Sequence, residues 1–256
     1  DEILLLRPTG EGTLTRLASQ IQEVADLLGG GIPMGDAFPD DIAASGIATL
    51  LVRVLTLALH VSVAVEGDVD EAVCRRLIAE VNGEVSTVFG RRGKQPLLSA
   101  LNGYNAGAVH APWLVLVDLD RDDDCPVRYA ETILRHPAKG MCRRVVVRAI
   151  EAWILADSDG IARWAQVSKD RIPSDVEGID DPKRFLVDLF RRSRNRALVE
   201  DLVPRQGSGR SVGPGYNSRL REFVESRWDL ANAEGRSASL SAALKCIRRL
   251  AETHDR

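Results

Sequence analysis

Hydrophobic and polar positions change period along the chain. In HVSVAV, Val61, Val63 and Val65 alternate with polar or small residues, which predicts a short strand ending at Glu66-Gly67-Asp68. From Asp70 to Val81 the spacing turns helical, with Val73, Leu77, Ile78 and Val81 on one face. Val85 to Phe89 reads as a second strand, and Pro96 to Leu101 opens another helix. Trp113 to Asp118 is a third strand, with Leu114 to Val117 apolar on both faces. Val127 to His136 reads as a helix, and Arg144 to Ile150 as the fourth strand. Strands alternating with helices of this length imply βαβ units and an α/β fold with a mostly parallel sheet.

Beyond Glu151 the strand signal fades. Ala152 to Ala156 reads as helical. Asp181-Pro182 suits the N-cap and first turn of a helix that runs to about Arg192. A loop with Gly207, Gly209, Gly213 and Gly215 precedes helices expected over Asn217–Trp228 and Ser239–Thr253. Upstream, Leu14 to Leu28 carries a helical stripe stopped by three glycines, and Ile47 to Leu57 fits a helix or a strand. The expected organisation is an N-terminal extension over 1–57, an α/β domain over 58–160, and a helical appendage over 161–256 packed on that domain.

Composition narrows the class. The chain has 256 residues, enough for one large domain or a domain with an appendage. Its 34 Lys and Arg against 37 Asp and Glu exclude a generally basic nucleic-acid coat but leave room for a local basic groove. Cys74, Cys125, Cys142 and Cys246 show no C-x-x-C pairing and read as reduced cysteines of a cytoplasmic protein. The apolar run Ile47–Val65 is interrupted by Arg53 and His60, so no membrane segment is expected there.

The chemistry concentrates at strand ends. WLVLVDLDRDDD runs from apolar residues straight into acid, at Asp118, Asp120 and Asp122. Side chains at i and i+2 of a strand leave on the same face. In a parallel sheet every strand ends on one edge, and ligands bind in the crevice where strand order reverses. If the first and third strands are neighbours, Glu66, Asp118 and Asp120 converge. Three carboxylates form a hard-oxygen site suited to Mg²⁺ or Mn²⁺ and to phosphodiester chemistry.

With Glu-Gly after the first strand and Asp-x-Asp after the third, the chain resembles the Toprim fold over roughly residues 60–150. Topoisomerases, bacterial primases, small ribonucleases and overcoming-lysogenization-defect nucleases share that Rossmann-like fold. Over 60–250 it looks most like an uncharacterised bacterial Toprim-like family often encoded near an ATPase. That closer match rests on Glu151-Ala152-Trp153-x-x-Ala156-Asp157 and Pro182-Lys183-x-x-Leu186. The resemblance implies that Asp118 and Asp120 hold the metal, and that Glu66 is a third ligand or the general base. It also implies that Gly67 lets the backbone approach a phosphate. A nuclease acting on DNA or RNA, antiviral defence and a separate ATPase partner are implied in the same way.

Other residues carry two readings each. Asp122 either extends the metal site or belongs to a solvated turn. Arg91, Arg92 and Lys94 in GRRGK either bind substrate phosphates or form a solvated loop. Glu151 either reaches the same edge or favours a helix N-terminus. Trp153 reads as core. Arg191, Arg192, Arg194 and Arg196 fit a solvated helix end, with a grip on nucleic-acid backbone as the alternative. No P-loop pattern occurs, so an ATPase would be another chain. The competing functions are a phosphatase of the haloacid-dehalogenase type, which also uses Asp-x-Asp, and a non-catalytic partner subunit.

Overall fold

The computed structural model describes residues 59–254. The expected extension over 1–57 and its helices lie outside the described residues.

Four strands form the sheet: β1 (His60–Val65), β2 (Glu84–Gly90), β3 (Trp113–Asp118) and β4 (Met141–Val146). All pairings are parallel, in the order β2-β1-β3-β4. The sheet therefore grows outward from β1 in both directions, and strand order reverses between β1 and β3. In open α/β sheets that reversal opens a crevice at the carboxyl ends of the strands. Helices α1 (Asp68–Ala79), α2 (Lys94–Gly107) and α3 (Pro126–Ile133) connect the strands.

The fourth strand begins and ends earlier than its apolar run suggests. Met141 and Cys142 pair with Trp113 and Leu114, and the half-buried Arg143 and Arg144 interrupt the hydrophobic signal within the strand. Ile150, expected as the strand's last residue, instead begins a helix and is buried there.

The alternation of β1 and β3 sorts their side chains into two cores. Val61, Val63, Val65, Leu114 and Leu116 face one layer; Ala64, Val115 and Val117 face the other, with α2 and α3. The first layer holds α1 together with the remaining helices: α4 (Ile150–Ala156), α5 (Ser158–Ala165), α6 (Pro182–Phe190), α7 (Arg196–Leu202), α8 (Tyr216–Ser226), α9 (Leu230–Glu234) and α10 (Ala238–His254). A short 3-10 turn spans Lys169–Arg171. The helical half thus supplies the second covering layer of the sheet and shares its core. Trp153 is fully buried and donates its indole N–H to Ser239 Oγ at 2.7 Å, as expected of a core residue.

Asp157 is also fully buried. It accepts from the Gly160 and Asp229 amides and from Asn232 Nδ2, at 2.8–3.0 Å, and so ties α4, α5 and α9 together. Asp181 caps α6 by accepting from the Arg184 amide at 2.9 Å. The reading of four reduced cysteines is corrected at one pair. Cys142 on β4 and Cys246 on α10 form a disulfide, with Cα atoms 6.0 Å apart. The two lie 104 residues apart in sequence, and only the packing of α10 on β4 brings them together. Among the described residues, no helix is long and apolar enough to cross a membrane.

Candidate functional site

The ends of β1 and β3 meet at the strand-order reversal. Glu66, one residue past β1, accepts the Asp118 backbone N–H through Oε1 at 2.9 Å. Two residues 52 positions apart in sequence are thereby joined directly. The loop after β2 fixes this junction from the other side. The Arg91 amide donates to Val65 O at 2.8 Å, and the Gly93 amide to Glu66 O at 3.0 Å. Gly90 makes that wrap feasible: its φ is +88°, and a Cβ there would collide with the Val65 carbonyl oxygen. Gly90→Ala is expected to cost about 2–3 kcal/mol in urea unfolding, because it combines left-handed strain with a backbone clash.

Asp118 follows the even positions of β3 toward the larger helical layer. Its Oδ1 is shut off from solvent and has no hydrogen-bond partner. Burial pushes its carboxyl well above the usual range, and the charges of Asp70, Glu151, Glu66 and Asp120 push it further. Asp70 stands on the first turn of α1, four residues past Glu66. It is 7% exposed, and its Oδ1 is likewise unpartnered. Burial first, then the Glu66 charge, raises it to about 7. Burial raises Glu66 too. Glu151, 4% exposed on α4, accepts the Tyr216 hydroxyl at 3.0 Å and has Lys183 Nζ at 3.7 Å. Four carboxylates, from just past β1, the end of β3, α1 and α4, thus share one poorly solvated place.

The Asp-x-Asp pair divides its work. The strand ends at Asp118, and Asp120 adopts a left-handed φ of +49°. The same-face rule for i and i+2 therefore lapses at Asp120. Its carboxylate is exposed and takes Lys94 Nζ at 2.6 Å, while Asp122 takes the same ammonium at 2.9 Å. Burial works against the Lys94 charge, but these two hydrogen bonds win and hold it well above its ordinary value. The bond from Lys94 holds Asp122 low. Tyr129 also donates to Asp122, at 3.0 Å.

A cleft of about 360 Å³ opens beside this cluster. Asp118, Asp120 and Glu151 line it together with Arg121, Arg148 and Lys183. Arg91, Arg92 and Lys94, the cations expected to meet a substrate phosphate, are not among its lining residues. Arg91 instead pairs with Glu71 at 3.0 Å. Gly67 has an extended backbone, and a Cβ there would lie 3.2 Å from Asp70 Oδ2. Its lack of a side chain leaves room for that carboxylate. A larger cleft, of about 680 Å³, lies on the other side of Tyr216, against the glycine-rich loop.

Sequence reasoning missed Asp70, Arg121, Arg148 and Lys183 as site residues. Asp70 had a signal in its four-residue spacing from Glu66, masked because acids are ordinary in a helix's first turn. Arg148 sat inside the apparent fourth strand. Among the described residues, no three His, Cys, Asp or Glu side chains form a ready-made ion cage as they stand. The donor chemistry nonetheless fits a hard divalent cation. The unpartnered oxygens of Asp70 and Asp118 are carboxylate donors, and Glu66 and Glu151 add two more carboxylates nearby. Compared with protein-family models, curated proteins and solved structures, the chain matches none.

Proposed function

We propose that this chain is a Toprim-like, Mg²⁺- or Mn²⁺-dependent phosphodiesterase, acting as a nuclease on DNA or RNA. One observation carries the reading: Glu66 grips the end of β3 at the strand-order reversal, leaving a buried, unpartnered Asp118 oxygen among three further carboxylates. Left to itself, such a group of like charges is unfavourable, and a bound cation would relieve it. Asp118 and Asp70 would hold the ion, with Glu66 and Glu151 beside them. Bound there, the ion supplies Lewis-acid polarisation of a phosphoryl oxygen.

The chain's own groups do the rest. Glu66, raised by burial, takes the proton of the attacking water. Lys183 and Arg121 on the cleft wall meet the phosphate charge. Arg148 holds the Asp120 turn by donating to its carbonyl oxygen at 3.1 Å. Lys94 bridges Asp120 and Asp122 and offsets one of their two charges, lessening the rim's repulsion of an anionic strand. In the resemblance, a separate ATPase beside this nuclease belongs to a defence setting.

The test is cleavage of plasmid, oligonucleotide and tRNA with Mg²⁺ or Mn²⁺, against an EDTA control. Cation-dependent cutting is the expected result. Hydrolysis of para-nitrophenyl phosphate without nucleic-acid cleavage would replace this reading with the phosphatase. Neither activity, together with stable co-purification of another protein, would replace it with a partner subunit.

A further inference from the structure

Helix α6 joins two different environments. Its first residues, Pro182 and Lys183, line the acidic cleft. Just past its last turn, Arg192 and Arg194 line a separate cleft of about 600 Å³, together with Arg171, Gln166, Val167 and Ser168. All three arginines are exposed, and none has an ion pair among the described residues. Val167 is the sole apolar residue in that wall. Asp170, the acid adjacent to Arg171, is turned to Ser168 Oγ at 3.2 Å.

A helix C-terminus favours cations through its dipole, which accounts for arginines that follow α6. It does not account for Arg171. That residue belongs to the 3-10 turn, a different element, yet it lines the same cleft. Charges from two elements converging without counter-ions point to an anionic ligand. The exposed positions along α6 and just past it continue the theme: Arg184 and Arg191 share a single acid, Asp188, at 3.9 and 3.2 Å, while Arg192 and Arg194 have no ion pair among the described residues.

We propose that the Arg171–Arg192–Arg194 cleft is a phosphodiester-backbone site that holds the nucleic-acid strand at a distance from the acidic centre. The identity of the strand rests on the nuclease reading above. Nine residues of α6 span about 14 Å, matching the rise of about four nucleotides along one strand of a duplex. The cleft reads charge and not sequence, since arginine contacts to phosphate position a strand without specifying bases.

Binding without cleavage tests this. The full chain in EDTA is titrated into fluorescein-labelled DNA and RNA oligonucleotides, and anisotropy is followed across a salt series. Arg171→Gln/Arg192→Gln/Arg194→Gln is expected to weaken binding at least about tenfold and to lower the salt slope by about 2–3, one for each lost phosphate contact. A control removing three exposed charges elsewhere, Arg75→Gln/Arg135→Gln/Lys139→Gln, should keep the wild-type slope. Equal losses in both triples, an unchanged slope in the first, or no binding by the wild type would overturn the proposal. Loss of poly-glutamate binding in the first triple with nucleic-acid binding intact would assign the cleft to an acidic protein instead. Because the assay excludes metal, its outcome is independent of whether the acidic centre cuts.

Discussion

Asp118→Asn is expected to abolish cation-dependent cleavage, by about a thousandfold or more, while making the cation-free protein more stable near neutral pH. The first effect follows from replacing a hard anionic donor with a neutral amide of the same shape; a thousandfold corresponds to about 4 kcal/mol of transition-state stabilisation. The second follows from the surroundings. Burial, then Asp70, Glu151 and Glu66, oppose the Asp118 charge, so folding at neutral pH must either force a proton onto it or confine it as a charge. The amide removes that cost. A gain of about 1–2 kcal/mol corresponds to a melting temperature higher by roughly 3–6 °C in a chain of this size. Cleavage assays and thermal melts in EDTA read the two effects separately. A variant that cuts like wild type defeats the catalytic role. One that melts lower at neutral pH defeats the electrostatic account.

The wild-type chain should carry the same signature in its pH dependence. Asp70 rises from an ordinary 3.8 to about 7, so the folded state binds its proton more tightly than the unfolded state. The stability this confers is complete below about pH 4 and drains away as pH climbs toward 7, on the order of 2–4 kcal/mol in total. Asp122, held low by Lys94, works in the opposite sense, and its contribution is lost only as pH falls below about 4. Urea unfolding in EDTA should therefore show stability decreasing between about pH 4.5 and 7. Millimolar Mn²⁺ should restore it at the upper end of that range and change little at the lower end, where the carboxyls are protonated. A flat profile with no cation effect would mean that the carboxylates are solvated and independent of one another.

The sheet was legible because buried parallel strands write themselves as apolar runs, and β1 and β3 announce their ends by the change to Glu66 and Asp118. Their adjacency is a condition in the sequence reading, and the order β2-β1-β3-β4 meets it. Three things were not legible. The left-handed turn at Asp120 separates it from Asp118, and nothing in DLD spells a dihedral angle. Lys94 carries the right charge for a phosphate, but its intramolecular partners Asp120 and Asp122 lie 26 and 28 residues away. Asp70 comes from a helix's first turn, where acids are common, and only tertiary packing sets it beside Asp118; for Glu151 the sequence leaves two readings open, and packing brings it to that edge. The arginines after α6 stand out in the sequence, whereas Arg171, which lines the same cleft from a different element, does not.

The hydroxyl that Tyr216 offers to Glu151 has a practical corollary. A fragment trimmed to the βαβ portion, stopping near residue 160, would keep every strand yet strip one carboxylate of its donor and expose the apolar faces of β4 and α1 that α10 and α8 cover. Truncation designed to isolate a minimal α/β unit is therefore the wrong economy here: the helices that follow Tyr216 belong to the same fold as the strands.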